Sequence, residues 1–468
     1  MNSVIQNKFS DNTQPQKKRE LLLAMSGVAA TVAIVAFDAT IVSTVLPKAA
    51  QQLNGMPLYA WVGTGYFLAS AMTIMIFGRL GDLHGRKPLM LWSLFIVSLG
   101  SILSALSQTM PQLIGARVFQ GVGAGIMVAT AFTAPADLFP EPKQRVRWLV
   151  MLSATFAVAS GLGPLIGGMT EQLLGWRASF IVIPITGALA AFLIVRYFPH
   201  LKPEKKPSDR IDWLGACLIM MTVGLLLLSL EIFVGHFSTV KPTWGLLIFF
   251  VCCLSAWALI KVEQRVAMPI FPLRILQTQQ AQLLNIAAFL CGAVMFILIF
   301  YLPLLFQIAF QYSPTQAGVL LIPLVGGIPL GSIVSGHLFA RTKQPQRLMV
   351  FGSAVLGLGC LVALTLTEHS ALLWVAVATA LCGAGLGFIL PNLTLFSQML
   401  VQRHDVGVAS AFIQTNRALG SAIGTALVGM AITQTSVLIG MRFGLIISII
   451  ICAMVMLISA RIKMHDYT

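Results

Sequence analysis

The chain carries fifteen acidic residues, and all but one lie between apolar runs or near their ends. The exception is Asp38, in the middle of the first run, within Phe37-Asp38-Ala39-Thr40-Ile41-Val42-Ser43-Thr44-Val45-Leu46-Pro47. An acid at the centre of a bilayer-spanning helix costs about 2.5–3.5 kcal/mol on insertion scales, so it is rarely kept without a role. Desolvation disfavours the charged form, the condition under which a carboxyl loads and releases protons near neutral pH. The plainer alternative is a structural acid permanently paired with a base. Arg117 is the natural partner, in Arg117-Val118-Phe119-Gln120-Gly121-Val122-Gly123-Ala124-Gly125. A guanidinium keeps its proton, so Arg117 can be a fixed counter-charge, a structural group, or both. Gln120 shares its helical phase and can address the same cavity, while Gly121 and Gly125 offer a close-packing face.

Polar groups are scarce elsewhere in the runs. Arg417, with Gln414 and Asn416, is the only charged group inside the later runs, and either lines a cavity facing Asp38 or caps helix packing near one end. Gln307 and Asn392 sit near run ends, where packing is the commoner role. Phe296, Phe300 and Tyr301 could line a cavity or simply face neighbouring helices. A charged, glycine-rich turn, Gly78-Arg79-Leu80-Gly81-Asp82-Leu83-His84-Gly85-Arg86-Lys87, separates the second and third runs. Glycine permits close helix ends, and a carboxylate amid Arg and Lys can make charge-assisted hydrogen bonds that break and re-form. Gly161-Leu162-Gly163-Pro164-Leu165-Ile166-Gly167-Gly168 bends one helix at its proline and lets its faces pack tightly.

The elements that position these groups follow from composition. The 468 residues are 57% hydrophobic and 10% charged, with a mean hydropathy of +0.88. Only a bilayer asks helices to be apolar all round. At about 20 apolar residues per crossing, fourteen spans are expected, near 22–47, 58–78, 88–107, 111–137, 148–169, 177–197, 211–235, 243–260, 280–309, 316–340, 348–367, 371–400, 408–434 and 438–460. Barrel strands would be shorter and alternate with period two.

The net charge of +15 raises the question of nucleic acid, which its placement answers. Apart from Arg117 and Arg417 within spans, only Lys48, Arg177, Lys241 and Arg442 fall on the side opposite the N-terminus. That asymmetry is the positive-inside signal and puts both termini in the cytoplasm of a multi-pass protein. The first span, preceded by a polar tail without a small-residue cleavage pattern, reads as a retained anchor. The seven cysteines all lie in spans without ligand spacing, so no metal site is expected. The seven histidines are scattered singly without paired acids, which argues against an integral-membrane enzyme.

A proline- and lysine-rich stretch from Phe198 to Arg210 reads as a linker. The expected organisation is a cytoplasmic tail (1–20), a six-helix bundle (21–197), linker loops with two extra helices (198–279), and a second six-helix bundle with a short cytoplasmic tail (280–468). An internal echo supports duplication. Gly336-His337-Leu338-Phe339-Ala340-Arg341 aligns with the segment from Gly78 at an offset of 258, and Gly383-Ala384-Gly385-Leu386-Gly387 with that from Gly121 at an offset of 262. The copy has decayed: Ala340 stands where Asp82 does, and Thr379 where Arg117 does.

These motifs together resemble those of the major facilitator superfamily, and specifically its fourteen-helix drug:proton antiporters. The turn from Gly78 is similar to the signature between helices 2 and 3. Asp38-x-Thr40 with Leu46-Pro47, Arg117 with Gln120-Gly121, and the segment from Gly161 to Gly168 resemble the first-, fourth- and fifth-helix signatures. Trp61 with Tyr66, Asp212-Trp213-Leu214-Gly215, Tyr312 to Gly318, and Gly407 to Gly420 extend the likeness. Departures are Ala178 in place of a second aromatic after Trp176-Arg177, and a missing Asn ahead of Pro184. No acid occupies the middle of the ninth or tenth span, which speaks against export of dications.

The resemblance implies an all-α membrane fold of two pseudo-symmetric six-helix bundles plus two inserted linker helices, fourteen in all. It implies a cofactor-free, proton-coupled exporter of amphipathic small molecules in the cell's inner membrane, working by alternating access. Asp38 and Arg117 would couple to protons, and Thr40, Tyr66, Gln120, Gln307, Gln414 and Arg417 are candidates for the substrate cavity. Gly78, Arg79, Asp82, Gly85, Arg86 and Lys87 would form the cytoplasmic gate, and Gly161, Gly163, Pro164, Gly167 and Gly168 the exporter-type motif. A dedicated metabolite or siderophore exporter, or a symporter, is the alternative, and an integral-membrane enzyme the remote one. The expected partners are the lipid bilayer, small amphipathic substrates and protons, not nucleic acid; the functional unit is a monomer, with recruitment of a periplasmic adaptor left open.

Overall fold

The computed structural model describes residues 14–139, 141–200, 212–233, 242–266, 276–339, 342, 346–401 and 406–462. The linker at 201–210, and Ala340 and Arg341 of the internal echo, lie outside them. Among the described residues there is no strand and there are fourteen long helices: α1 (Gln14–Gln52), α2 (Tyr59–His84), α3 (Arg86–Leu106), α4 (Met110–Ala131), α5 (Pro142–Leu174), α6 (Trp176–Tyr197), α7 (Trp213–Phe233), α8 (Pro242–Glu263), α9 (Gln279–Leu304), α10 (Pro314–Phe339), α11 (Gln346–Leu364), α12 (Leu372–Met399), α13 (Val406–Gln434) and α14 (Val437–Arg461). Eleven apolar helices among the described residues are long enough to cross a membrane. α1 and α5 outrun the expected spans at their polar N-terminal ends, where helix continues without an apolar signal.

The helix ends have local causes. Gly85, at φ 83°, makes the turn between α2 and α3, and Gly175, at φ 85°, the turn between α5 and α6. That backbone region strains any residue with a Cβ. Thr278 and Ser436 accept hydrogen bonds from the amides of Ala281 and Ile439 and so cap α9 and α14. Lys87, at the start of α3, donates to the carbonyls of Val195 (2.9 Å) and Phe198 (2.6 Å) at the end of α6, where carbonyls lack helical partners.

Glycines set which helices meet. A methyl group on Gly121 would strike the carbonyl oxygen of Tyr66, and one on Gly125 that of Ser70, so α4 lies directly on α2. Gly383 and Gly387 of α12 press in the same way on the carbonyls of Leu324 and Ile328 of α10. Gly123 meets Val97 of α3, and Gly385 meets Leu356 of α11. Leu324 and Ile328 stand 258 residues after Tyr66 and Ser70, and the glycines 262 apart, the same offsets as the sequence echo. Backbone contact without side chains between is how membrane helices gain packing energy.

The first six helices and the last six meet through α1 with α9, α2 with α13, and α5 with α10. α7 and α8 pack on each other, joined by Thr222 and Ser255 at 2.9 Å, and α7 also touches α2. Large apolar side chains such as Trp92, Phe192, Trp257 and Leu457 are more than half exposed on the perimeter, the surface a bilayer would cover.

Candidate functional site

Asp38 on α1, Tyr66 on α2, and Arg117 and Gln120 on α4 converge in the first six helices, each no more than 2% exposed. Nη1 of Arg117 donates to Asp38 Oδ1 at 2.7 Å and to Gln120 Oε1 at 2.8 Å. Nε2 of Gln120 donates to the same Asp38 Oδ1 at 2.8 Å. The Arg117 guanidinium lies 4.1 Å from the Tyr66 ring centre, a cation–π contact strengthened by desolvation. Asp38 Oδ2, Tyr66 Oη and Arg117 Nε have no hydrogen-bond partner.

The positioning follows from the glycines. Contact at Gly121 brings Tyr66 against Arg117, one turn away on α4. Gly100 of α3 leaves room for the Cβ of Gln120. Behind Asp38, Gly163 and Gly167 of α5 receive the Thr40 and Thr44 hydroxyls and the Ile41 backbone of α1. Pro164 and Gly168 complete that motif at another junction: Gly318 of α10 sits on the Pro164 carbonyl, and Pro314 on Gly168. Gly161 faces Val325 of α10 at ordinary contact distance. The α5 motif therefore ties the helix bearing Asp38 to the opposite half.

This arrangement can hold a charge and change it. Two charges out of water are tolerated when paired and hydrogen-bonded, and removing one leaves the other expensive. Burial favours the neutral carboxyl, and the guanidinium favours the carboxylate. A carboxyl with one oxygen bound and the other bare can exchange a proton when the pair separates.

The remaining candidates divide. Thr40 is turned to α5, its hydroxyl donating to Ala36 O (2.9 Å) and Phe37 O (3.3 Å), and is not beside Arg117. Gln307 donates to the Thr44 carbonyl at 2.8 Å across the halves. It belongs to a closure at the end where α1 finishes and α2 begins, the outer end on the positive-inside expectation. Thr64 and Thr425 hydroxyls meet there at 3.0 Å, Thr315 donates to Gly168 O at 3.3 Å, and Phe300 packs on Gly63 and Tyr59. Tyr301 is likewise part of this closure and donates to Thr425 O at 2.5 Å, while the rings of Phe296 and Phe67 meet at a 56° tilt with centres 3.9 Å apart. Thr379, the counterpart of Arg117, bonds only carbonyls of its own helix.

At the opposite end, Arg86 pairs with Asp137 on the short helix Ala134–Leu138, Nε to Oδ2 at 3.2 Å, and also donates to the Thr133 carbonyl. No sequence pattern marked Asp137, an acid at the very end of the expected fourth span. Gly78 has nothing within 4 Å of where a Cβ would stand, so close helix approach is not its role. The side chains of Arg79 and Asp82 lie outside the described residues.

The family model of the Major Facilitator Superfamily matches residues 28–425. The chain belongs to the major facilitator superfamily. Its residues are 29% identical over 425 positions to Multidrug resistance protein 3 of Bacillus subtilis, covering 90% of this chain and 82% of that one. They are 30% identical over 378 positions to the Methylenomycin A resistance protein of Streptomyces coelicolor, covering 80% and 78%. A third relative, the efflux pump dotC of Dothistroma septosporum, is 31% identical over 417 positions, covering 86% and 69%. Membership makes the chain a multi-span, non-enzymatic membrane transporter of all-α fold.

Proposed function

We propose that this transporter exports amphipathic small molecules in exchange for protons by alternating access. The observation that carries the reading is the buried Asp38–Arg117 pair, with one carboxylate oxygen unpartnered, inside otherwise apolar helices. The drug-resistance and efflux names of the relatives support the direction and substrate class. Loop charges support cytoplasmic termini and residence in the cell membrane.

In this reading the outer contacts at Thr64–Thr425, Gln307–Thr44 and Gly168–Pro314 close one side while substrate enters from the other. When they part, a proton reaches Asp38, neutralises it and releases Arg117 from its ion pair. Reorientation exposes Asp38 to the cytoplasm, where the proton leaves and the pair re-forms. Arg86, Lys87, Gly85 and the neighbouring Asp82 and Arg79 act at the cytoplasmic gate. One charge moved through 100 mV yields about 2.3 kcal/mol. At about 1.4 kcal/mol per decade, a proton sustains a substrate ratio of tens-fold or more.

Dye efflux in inverted membrane vesicles tests the proposal. Wild-type vesicles accumulate ethidium when energised and lose it on addition of a protonophore. Asp38→Asn vesicles with equal protein content accumulate none. Protonophore-insensitive accumulation, or normal accumulation by the variant, refutes proton coupling through Asp38.

A further inference from the structure

Among the described residues, Arg417 is a membrane cation without a protein anion. After Glu263 the chain contains only three acids, Glu368, Asp405 and Asp466, none within a helix from α9 to α14. The Arg417 guanidinium makes no hydrogen bond or ion pair with any described residue; only its backbone carbonyl is engaged, by Ser421. Asp38 cannot serve, since Arg117 already neutralises it at 2.7 Å. The intramembrane charges Asp38, Arg117 and Arg417 thus sum to one uncompensated positive charge. A lone charge at that depth is costly and marks a ligand pathway by default.

The helix geometry says where it faces. Phe412 is buried against Ile76 of α2 and Ile219 of the inserted α7, so its side of α13 faces the junction with those two helices. At about 100° per residue, Gln414 lies roughly 200° around the helix from Phe412 and Arg417 roughly 140°. Both therefore look away from that junction. Ser410, on that same side, bonds Gln398 of the central α12 at 2.8 Å, and Ser421 donates to Gly292 O of α9 at 3.2 Å. Gln414, one turn from Arg417, has a buried Oε1 with no partner. Two adjacent unpartnered polar groups, one a fixed cation, share the side of α13 that is turned toward α9 and α12.

We infer that Arg417, with Gln414 beside it, binds the anionic group (carboxylate, sulfonate or sulfate) of amphipathic substrates. This rests on the exporter reading and narrows it: the second half contributes a cation and no acid, so anions and zwitterions are favoured over dications. The planar guanidinium suits two-oxygen anions, which it can meet with parallel N–H donors.

The test titrates fluorescein, an anion, and ethidium, a cation, against the purified full-length protein in neutral detergent by fluorescence anisotropy. Fluorescein is expected to bind the wild type, and Arg417→Gln to weaken it at least tenfold. Arg417→Lys recovers part of the loss, and ethidium binding is not weakened by either variant, because loss of a like charge cannot disfavour a cation. A wild-type measurement covers a variant that does not fold: octyl sulfate should displace fluorescein at least tenfold more effectively than octanol. Equal fluorescein affinity in wild type and Arg417→Gln, equal displacement by the two competitors, or no fluorescein binding to the wild type overturns the inference. Arg417-dependent binding in a protein that exports neither dye upholds the site and sinks the exporter reading. Proton-driven ethidium export with fluorescein indifferent to Arg417 does the reverse.

Discussion

Arg117 and Asp38 touch through one oxygen only: Nη1 stands 2.7 Å from Oδ1, and Oδ2 is buried without a partner. The engaged oxygen also accepts from Gln120, so counter-charge and amide crowd one side of the carboxyl. The other side is left for a proton.

Removing one member should cost more than removing both. Arg117→Gln leaves a buried carboxylate uncompensated, a loss of about 3–5 kcal/mol for pairs of this kind. Asp38→Asn/Arg117→Gln removes both charges and should be markedly closer to wild type. Thermal unfolding in detergent of the two singles and the double checks this; additive losses would show that the pair is not coupled.

Tyr66 separates two contributions. Its hydroxyl lies beside the Asp38 carboxyl without a fully formed hydrogen bond, so Tyr66→Phe should change stability by less than about 1 kcal/mol. Tyr66→Ala removes the ring under the guanidinium as well as its packing, and should cost about 3–5 kcal/mol. Melting temperatures of the two variants make the comparison.

The glycines make opposing predictions. Gly78→Ala meets open space on a helix and should be neutral or stabilising by up to about 1 kcal/mol. Gly163→Val must displace Thr40 and the Ile41 backbone, and should destabilise by about 1–3 kcal/mol or more through overpacking. Membrane abundance and detergent melting curves distinguish them.

The outer closure can be locked. Thr64 and Thr425 meet at 3.0 Å across the halves, so Thr64→Cys/Thr425→Cys in a background lacking the native cysteines should cross-link under mild oxidation. Cross-linked protein should lose export fully and regain it on reduction. A mobility shift on gels with and without reductant, beside dye efflux, reads both effects.

Much of this was legible from residue types. Long all-apolar stretches have one solution in a bilayer, so the helices could be read, and one intramembrane acid with one phased Arg-Gln pair pointed to their meeting. The offsets of 258 and 262 were legible too, because glycine rows mark backbone contacts. Thr40 was not, since a hydroxyl that bonds its own helix looks in sequence like one that faces a cavity. The Arg86–Asp137 pair was hidden because an acid at a span end carries no signal of its partner. The outer closure joins residues such as Thr64 and Thr425 that are 361 positions apart, a pairing that no local pattern encodes. The polar starts of α1 and α5 obey helix propensity alone, so the apolar criterion stopped short of them.

The most direct measurement is proton release on substrate binding, followed with a pH indicator in weakly buffered detergent solution of purified protein. The account predicts that a bound substrate expels protons from the wild type, and that Asp38→Asn binds the same substrate with no release. Equal proton release from the variant would contradict the assignment of Asp38 as the group that carries the proton.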